Sequence, residues 1–243
     1  MRMCLTLQNE DGNEIILPIT YNHLVQGAIY NSISKSLAKF LHEEGFSFGK
    51  RKFKLFTFSR LLGNFILNRK HRSFVYKGSV KLLISSPVEK FIRDLTNTII
   101  KKGFIILGKN KLRVTEMSFP PMPQFENKVR IRTLSPITVY STLLTADGRK
   151  KTYYYSPYEE EFSQLINSNA KKKHFILTGR KLKSNLHINP IRAREVIVMY
   201  KETVIKAWAG TFVLEGPKSL IKAVYEAGLG SKNSQGFGMF EVI

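Results

Sequence analysis

The stretch Phe119-Pro120-Pro121-Met122-Pro123 limits the fold more than any other, because clustered prolines continue neither a helix nor a strand ladder. It divides the chain near its middle, and the same order of elements is expected on each side. Before it, residues 2–8 and 14–19 read as strands around the turn Asn9–Asn13, and residues 21–44 as helix. Ser34 and Ser36 are candidate N-caps inside that helical stretch, which predicts a helix to about Ile33, a break, and a short second helix from about Ser36. Residues 52–61 and 74–85 read as strands, 88–102 as a helix opened by Pro87 and stopped by Gly103, and 104–107 and 111–119 as strands. After the prolines, 129–142 reads as a strand interrupted at Pro136 and 158–168 as a short helix. Residues 186–199 and 203–214 read as paired strands, and Pro217 opens a helix that leads to a last strand at 239–243. The predicted fold class is therefore α+β, with two tandem ferredoxin-like (RRM-like) β-α-β-β-α-β domains, at 1–119 and 129–243, joined by a Pro-rich linker at 120–128.

Charge indicates what such a chain binds. Lys and Arg number 39 against 18 Asp and Glu, a formal charge of +21 on 243 residues. An excess of that size repels itself unless it meets a polyanion, and nucleic acid is the leading partner. An anionic membrane is the competing reading. It is disfavoured because the basic residues are interspersed with strand-like alternation, form no single amphipathic helix, and flank no apolar run of ~20 residues. Cys4 is the only cysteine, which excludes an intrachain disulfide and a multi-cysteine zinc site and fits a cytoplasmic protein. No Asp/Glu/His grouping has two-metal character, so neither metal nor cofactor is expected. Basic clusters include Lys50–Lys54, Arg69–Arg72, Lys171–Lys173 and Arg180–Lys183, and Tyr153-Tyr154-Tyr155 offers rings on which a base can stack. Each cluster alone reads equally well as a solvated loop. Lys52, Arg69, Lys70 and Arg72 are the candidates for backbone contact with RNA.

The C-terminal segment Ala227–Ile243, AGLGSKNSQGFGMFEVI, is rich in glycine. Gly228, Gly230, Gly236 and Gly238 bracket a polar run that contains Lys232 and Asn233. Such a loop brings bare backbone close to something, and converging N–H groups beside a lysine suit a phosphate. It is neither a nucleotide-binding P-loop nor a dinucleotide fingerprint, since a helix enters it and a strand leaves it. The alternative is a glycine-rich helix-to-strand connection with no ligand.

Gly-apolar-Gly, a polar run, Gly-aromatic-Gly and a closing strand resemble the signature loop of the RAMP superfamily of CRISPR-associated proteins. Within it, they resemble the Cas-six family, which cuts precursor CRISPR RNA at its repeats. Pro18–His23, Gln26–Tyr30, Phe40–Glu43 and Lys54–Ser59 look like the opening helix of that family and its continuation, so the resemblance touches both ends of the chain. It implies a metal-independent endoribonuclease whose nucleophile is the 2′-hydroxyl of the substrate, leaving 2′,3′-cyclic phosphate and 5′-hydroxyl ends. Tyr30, His42 and Lys54 fall on the family's catalytic tyrosine, histidine and lysine. His42 would protonate the departing 5′-oxygen, Tyr30 would orient or deprotonate the 2′-hydroxyl, and Lys54 would stabilise the phosphorane. One straight helix would hold Tyr30 and His42 about 18 Å apart, so the break near Ser34 is required. The segment between His42 and Lys54 is longer than the resemblance leads one to expect, which leaves Lys50 or Lys52 open as the lysine. The implied partners are a precursor repeat RNA and an interference complex that receives the product, with the protein a monomer or homodimer. A non-catalytic repeat-binding subunit of the same superfamily is the alternative, and an unrelated basic RNA-binding protein a more distant one.

Overall fold

The computed structural model describes residues 1–144 and 147–243. Its strands are β1 Arg2–Asn9, β2 Ile15–Pro18, β3 Phe46–Phe48, β4 Arg51–Phe53, β5 Thr57–Phe58, β6 Phe65–Asn68, β7 Ser73–Tyr76, β8 Val80–Ser85, β9 Phe104–Leu107 and β10 Asn110–Ser118 in the N-terminal half. The C-terminal half holds β11 Lys128–Thr133, β12 Tyr140–Leu144, β13 Lys150–Tyr154, β14 His187–Tyr200, β15 Thr203–Glu215 and β16 Phe240–Val242. The helices are α1 Asn22–Asn31, α2 Lys35–Lys39, α3 Glu89–Lys102, α4 Glu160–Thr178 and α5 Lys218–Ala227. The protein is of mixed α/β class with antiparallel sheets. One main sheet runs β5-β8-β1-β10-β9 and the other β14-β15-β11-β16. A three-stranded sheet, β2-β7-β6, and the hairpins β3-β4 and β12-β13 complete it.

Each main sheet buries one face under two helices. Met3, Leu5 and Leu7 alternate inward along β1 and meet Val25 and Ile29 of α1 and Ile92, Leu95 and Ile99 of α3. α3 is amphipathic, has Glu89 in its first turn and Lys101 and Lys102 in its last, and stops at Gly103, whose N–H donates to the Ile99 carbonyl at 2.8 Å. The second core joins Ile131, Phe212 and Leu214 to Phe162 and Ile166 of α4 and to Leu220, Ile221 and Val224 of α5.

Three expectations are corrected. The run 52–61 is not one strand: it breaks at Lys54–Phe56, where buried Leu55 adopts φ +53° and its carbonyl accepts the Ser86 hydroxyl at 2.7 Å. The run 74–85 divides at Gly78 into β7 and β8, which belong to different sheets, and the basic stretch at 69–72 is the turn of the β6–β7 hairpin. Finally, α4 extends to Thr178. Its buried stripe, Phe162, Ile166, Ala170, Lys173 and His174, keeps helical spacing straight through the basic cluster that reads as a solvated loop.

Candidate active site

The path from Tyr30 to His42 turns where the serines predict. α1 ends at Asn31, whose carbonyl accepts the Lys102 ammonium at 2.7 Å, and the extended Ser34 donates its N–H to the Asp94 carboxylate at 2.7 Å. α3 thus pins the break from both sides. α2 then runs into a π-helical turn, Phe40–Glu44, which carries the exposed His42. The turn ends at Gly45, φ +65°, where a Cβ would lie 2.7 Å from the Phe53 carbonyl oxygen.

Lys54 and Lys52 both reach back to this turn. Lys54 Nζ donates to the His42 carbonyl at 2.9 Å and Lys52 Nζ to the Glu43 carbonyl at 2.7 Å. Desolvation, then the neighbouring Lys52 charge, lowers the pKa of the Lys54 ammonium. Tyr30 is half-buried with its ring edge against Phe56 at 5.9 Å, and Phe56 stacks on Phe91 at 4.9 Å. Burial first, and Tyr200 second, push the Tyr30 phenol up to about 12. Lys54 therefore meets the backbone of His42, and Tyr30 packs two residues further along the same chain segment. Among the other histidines, His23 contacts the Thr20 carbonyl, His174 is buried at the end of α4, and His71 and His187 are exposed at a distance in sequence.

Much of the glycine-rich loop is committed to the protein itself. Gly228, Gly230, Gly236 and Gly238 are buried, and the N–H groups of Gly228, Leu229, Ser231, Gly236 and Gly238 donate to carbonyls of the chain itself. What the bare backbone approaches is protein. A Cβ on Gly236 would lie 2.5 Å from the Phe58 ring, and one on Gly238 would lie 2.0 Å from the Leu229 carbonyl oxygen. Asn233 points inward, its Nδ2 donating to the Leu229 and Phe237 carbonyls, and the ammonium of half-buried Lys232 sits 5.0 Å over the Tyr140 ring. The amides of Gly228, Gly236 and Gly238 and the side chain of Asn233 are thus engaged within the protein. The loop joins the two halves. Asn22 donates to the Gln235 carbonyl at 2.8 Å, Gln26 to the Ser234 carbonyl at 2.7 Å, and Thr57 to the Phe237 carbonyl at 2.9 Å.

A cleft of about 1050 Å³ opens at the other end of α1, between the β6–β7 hairpin and the outer face of the second sheet. The predicted residues Arg69 and Arg72 line it. Lys70 is exposed on the same hairpin turn but does not. Arg60, Arg132 and Arg194 join the lining, beside Phe65, Leu67, Val196 and Ile197. These arginines escaped the sequence reading, which looked for clusters. The alternation Val129-Arg130-Ile131-Arg132, with the valine and isoleucine buried, carried the signal for Arg132.

An arginine-lined cleft with an apolar floor, in a mixed α/β fold with antiparallel sheets, suits a polyanion. Comparison then gives the family. The model for the N-terminal region of CRISPR-associated protein Cas6 matches residues 16–118, and the model for its C-terminal region matches 119–242. The chain is 32% identical to CRISPR-associated endoribonuclease Cas6 1 of Methanocaldococcus jannaschii, over 98% of this chain and 91% of that protein. It is 29% identical to CRISPR-associated endoribonuclease Cas6 of Pyrococcus furiosus, over 100% of this chain and 90% of the relative. A solved structure of a CRISPR-associated protein Cas6 superposes with TM-score 0.82 at 29% identity, covering 100% of this chain and 99% of the other. The chain belongs to the Cas6 family. No helix among the described residues is long and apolar enough to cross a membrane.

The buried loop makes a testable distinction. Gly238→Ala should lower unfolding stability by more than about 3 kcal/mol, since a left-handed backbone and a carbonyl clash act together. Denaturant unfolding measures it. Unchanged stability with lost RNA affinity would return the loop to the RNA.

Proposed function

We propose that the chain is a metal-independent endoribonuclease that cuts precursor CRISPR RNA within its repeats. The observation that carries this reading is the Lys54 ammonium on the carbonyl of His42, with Tyr30 packed two residues further along, in a family whose relatives are named endoribonucleases. The 2′-hydroxyl gives up its proton to solvent as its oxygen attacks the adjacent phosphorus, and the bond to the 5′-oxygen breaks, giving a 2′,3′-cyclic phosphate and, once that oxygen is protonated, a 5′-hydroxyl. His42, exposed on its turn, donates the proton to the leaving oxygen. A phenol pushed to about 12 stays protonated at neutral pH, so Tyr30 orients the 2′-hydroxyl and does not act as the base. Lys54 faces the developing charge on the phosphorane, and Lys52 keeps the local field positive.

We also read residues 1–119 and 129–243 as two ferredoxin-like domains joined by 120–128. The strand orders β5-β8-β1-β10 and β14-β15-β11-β16 support this, since each is the second-third-first-fourth order of a β-α-β-β-α-β unit. The arginine-lined cleft takes the single-stranded part of the repeat, with phosphates on Arg60, Arg69, Arg72, Arg132 and Arg194 and bases over its apolar floor. The protein works in the cytoplasm, as a monomer or homodimer, and hands its product to an interference complex.

Cleavage should proceed in EDTA, and a 2′-deoxy nucleotide just upstream of the cut should block it. His42→Ala should slow single-turnover cleavage by roughly 10²- to 10⁴-fold with RNA affinity kept within a few-fold. Loss of activity in EDTA, or cutting of the deoxy substrate at the same bond, contradicts the mechanism. Full binding with no cleavage by the intact protein would make it the non-catalytic subunit.

Affinity for repeat RNA should fall steeply with salt. Arg132→Ala with Arg194→Ala should reduce the slope of log affinity against log salt by roughly 1 to 2. A titration in which the double variant keeps the parent slope would take the cleft off the RNA path.

A further inference from the structure

Lys173 has no work in the reaction, yet it is fully buried, and burial pushes its ammonium down to about 7. It lies on α4, 1% exposed, and no carboxylate pairs with it among the described residues. Its ammonium donates to three neutral acceptors instead: the Gly228 carbonyl at 2.7 Å, the Gly230 carbonyl at 3.1 Å and Asn233 Oδ1 at 2.7 Å. A buried charge without a counter-ion opposes folding and is tolerated where it fixes an arrangement that apolar packing would leave loose. Three donors on one atom match three acceptors that converge from separate points of one loop. Asn233 extends the clamp, since its Nδ2 holds the Leu229 and Phe237 carbonyls on the two arms.

The clamped loop has an outward side. Its Ser234 carbonyl accepts Gln26 Nε2 at 2.7 Å, and Gln26 Oε1 accepts the hydroxyl of Tyr200 from the end of β14. Gln26 and Tyr30 are one helical turn apart on α1, on the same face, and after burial it is Tyr200 that raises the Tyr30 phenol. A continuous path therefore runs from Lys173 through the loop to Gln26, and from Gln26 along α1 to Tyr30. Its last polar links, from Gln26 to the Ser234 carbonyl and from Tyr200 to Gln26, join the C-terminal half to the helix that carries the tyrosine.

We propose that Gln26 and Lys173 are positioning residues for RNA cleavage: Lys173 fixes the shape of the glycine-rich loop, and the loop, through Gln26, fixes where α1 holds Tyr30. This rests on the reading of Tyr30 and His42 as the cleavage site. A reactive group displaced by about 1 Å loses rate without losing substrate, because binding is spread over the cleft and the cut depends on alignment. The glycines serve the same end, since only bare backbone at Gly236 lets the loop press against Phe58 and Asn22.

The test compares wild type, His42→Ala, Gln26→Ala, Lys173→Met and the Gln26/Lys173 double variant. The substrate is a synthetic RNA of one repeat, for single-turnover cleavage, and its form with a 2′-deoxy nucleotide at the cut, for affinity. Gln26→Ala should cut at least about tenfold more slowly with affinity held within about threefold, the signature of misalignment. Lys173→Met should show the same split, and the double variant should be no slower than the slower single one, because both act through one loop. Wild-type cleavage by folded Gln26→Ala, while His42→Ala is slow, overturns the positioning role and leaves the cleavage site standing. Rate and affinity falling together would also overturn it, by assigning the loop to RNA binding. An unaffected His42→Ala fails the underlying reading instead. Should Lys173→Met not fold, the kinetic split of Gln26→Ala decides.

Discussion

The close approach of glycine backbone to the N-terminal half is the constraint on which the rest depends. At Gly236 the chain passes where a methyl group would strike the Phe58 ring, Gly238 lets the loop close on its own Leu229 carbonyl, and a buried ammonium gathers the loop from within. Two hydrophobic cores that share few residues are thereby held in one register. The helix that begins at Asn22 takes its place from that contact, and two functional regions take theirs from the helix. The arginine cleft opens by Tyr21 at its start and Tyr30 lies near its end, about 12 Å along the axis. A strand of RNA held in the first region has a short path to the second.

Charge and alignment are separated in this design. The +21 excess is spread over loops and outward strand faces, where it attracts a polyanion at long range. The residues proposed for cleavage sit in a more restricted setting. Tyr30 is half-buried against Phe56, Lys54 is tied to the π-helical turn, and Asp94 and Lys102 of α3 fix the break between them. Leu55, with φ +53°, turns the chain between Lys54 and Phe56 so that one segment serves both.

Local signals made part of this legible. Ser34 marked the break, because an extended serine before a helix is a strong stop-and-start signal, and Pro87 and Gly103 bounded the third helix. Individual helices and strands were readable on both sides of the prolines, while the short β3-β4 hairpin and β13 were not. The resemblance to a known family supplied the roles of Tyr30, His42 and Lys54, which residue type alone did not. Lys171–Lys173 were not legible as helix, since three successive lysines look solvated; only continuing the Phe162, Ile166, Ala170 stripe reaches Lys173. The glycines gave the inference that backbone comes close to something, but nothing local tells a ring of the same chain from a phosphate, and in this structure the near neighbours are protein. Arg60, Arg132 and Arg194 stayed hidden for a different reason. They come together only when the second sheet faces the β6–β7 hairpin.

The most direct measurement is an experimental structure of the protein bound to repeat RNA with a 2′-deoxy nucleotide at the cut. The account predicts the scissile phosphate among the side chains of Tyr30, His42 and Lys54, single-stranded RNA along the arginine cleft, and Gly228, Gly236 and Gly238 of the glycine-rich loop buried as before, their amides still bonded to protein. A scissile phosphate on the backbone of that loop, away from His42, would contradict it.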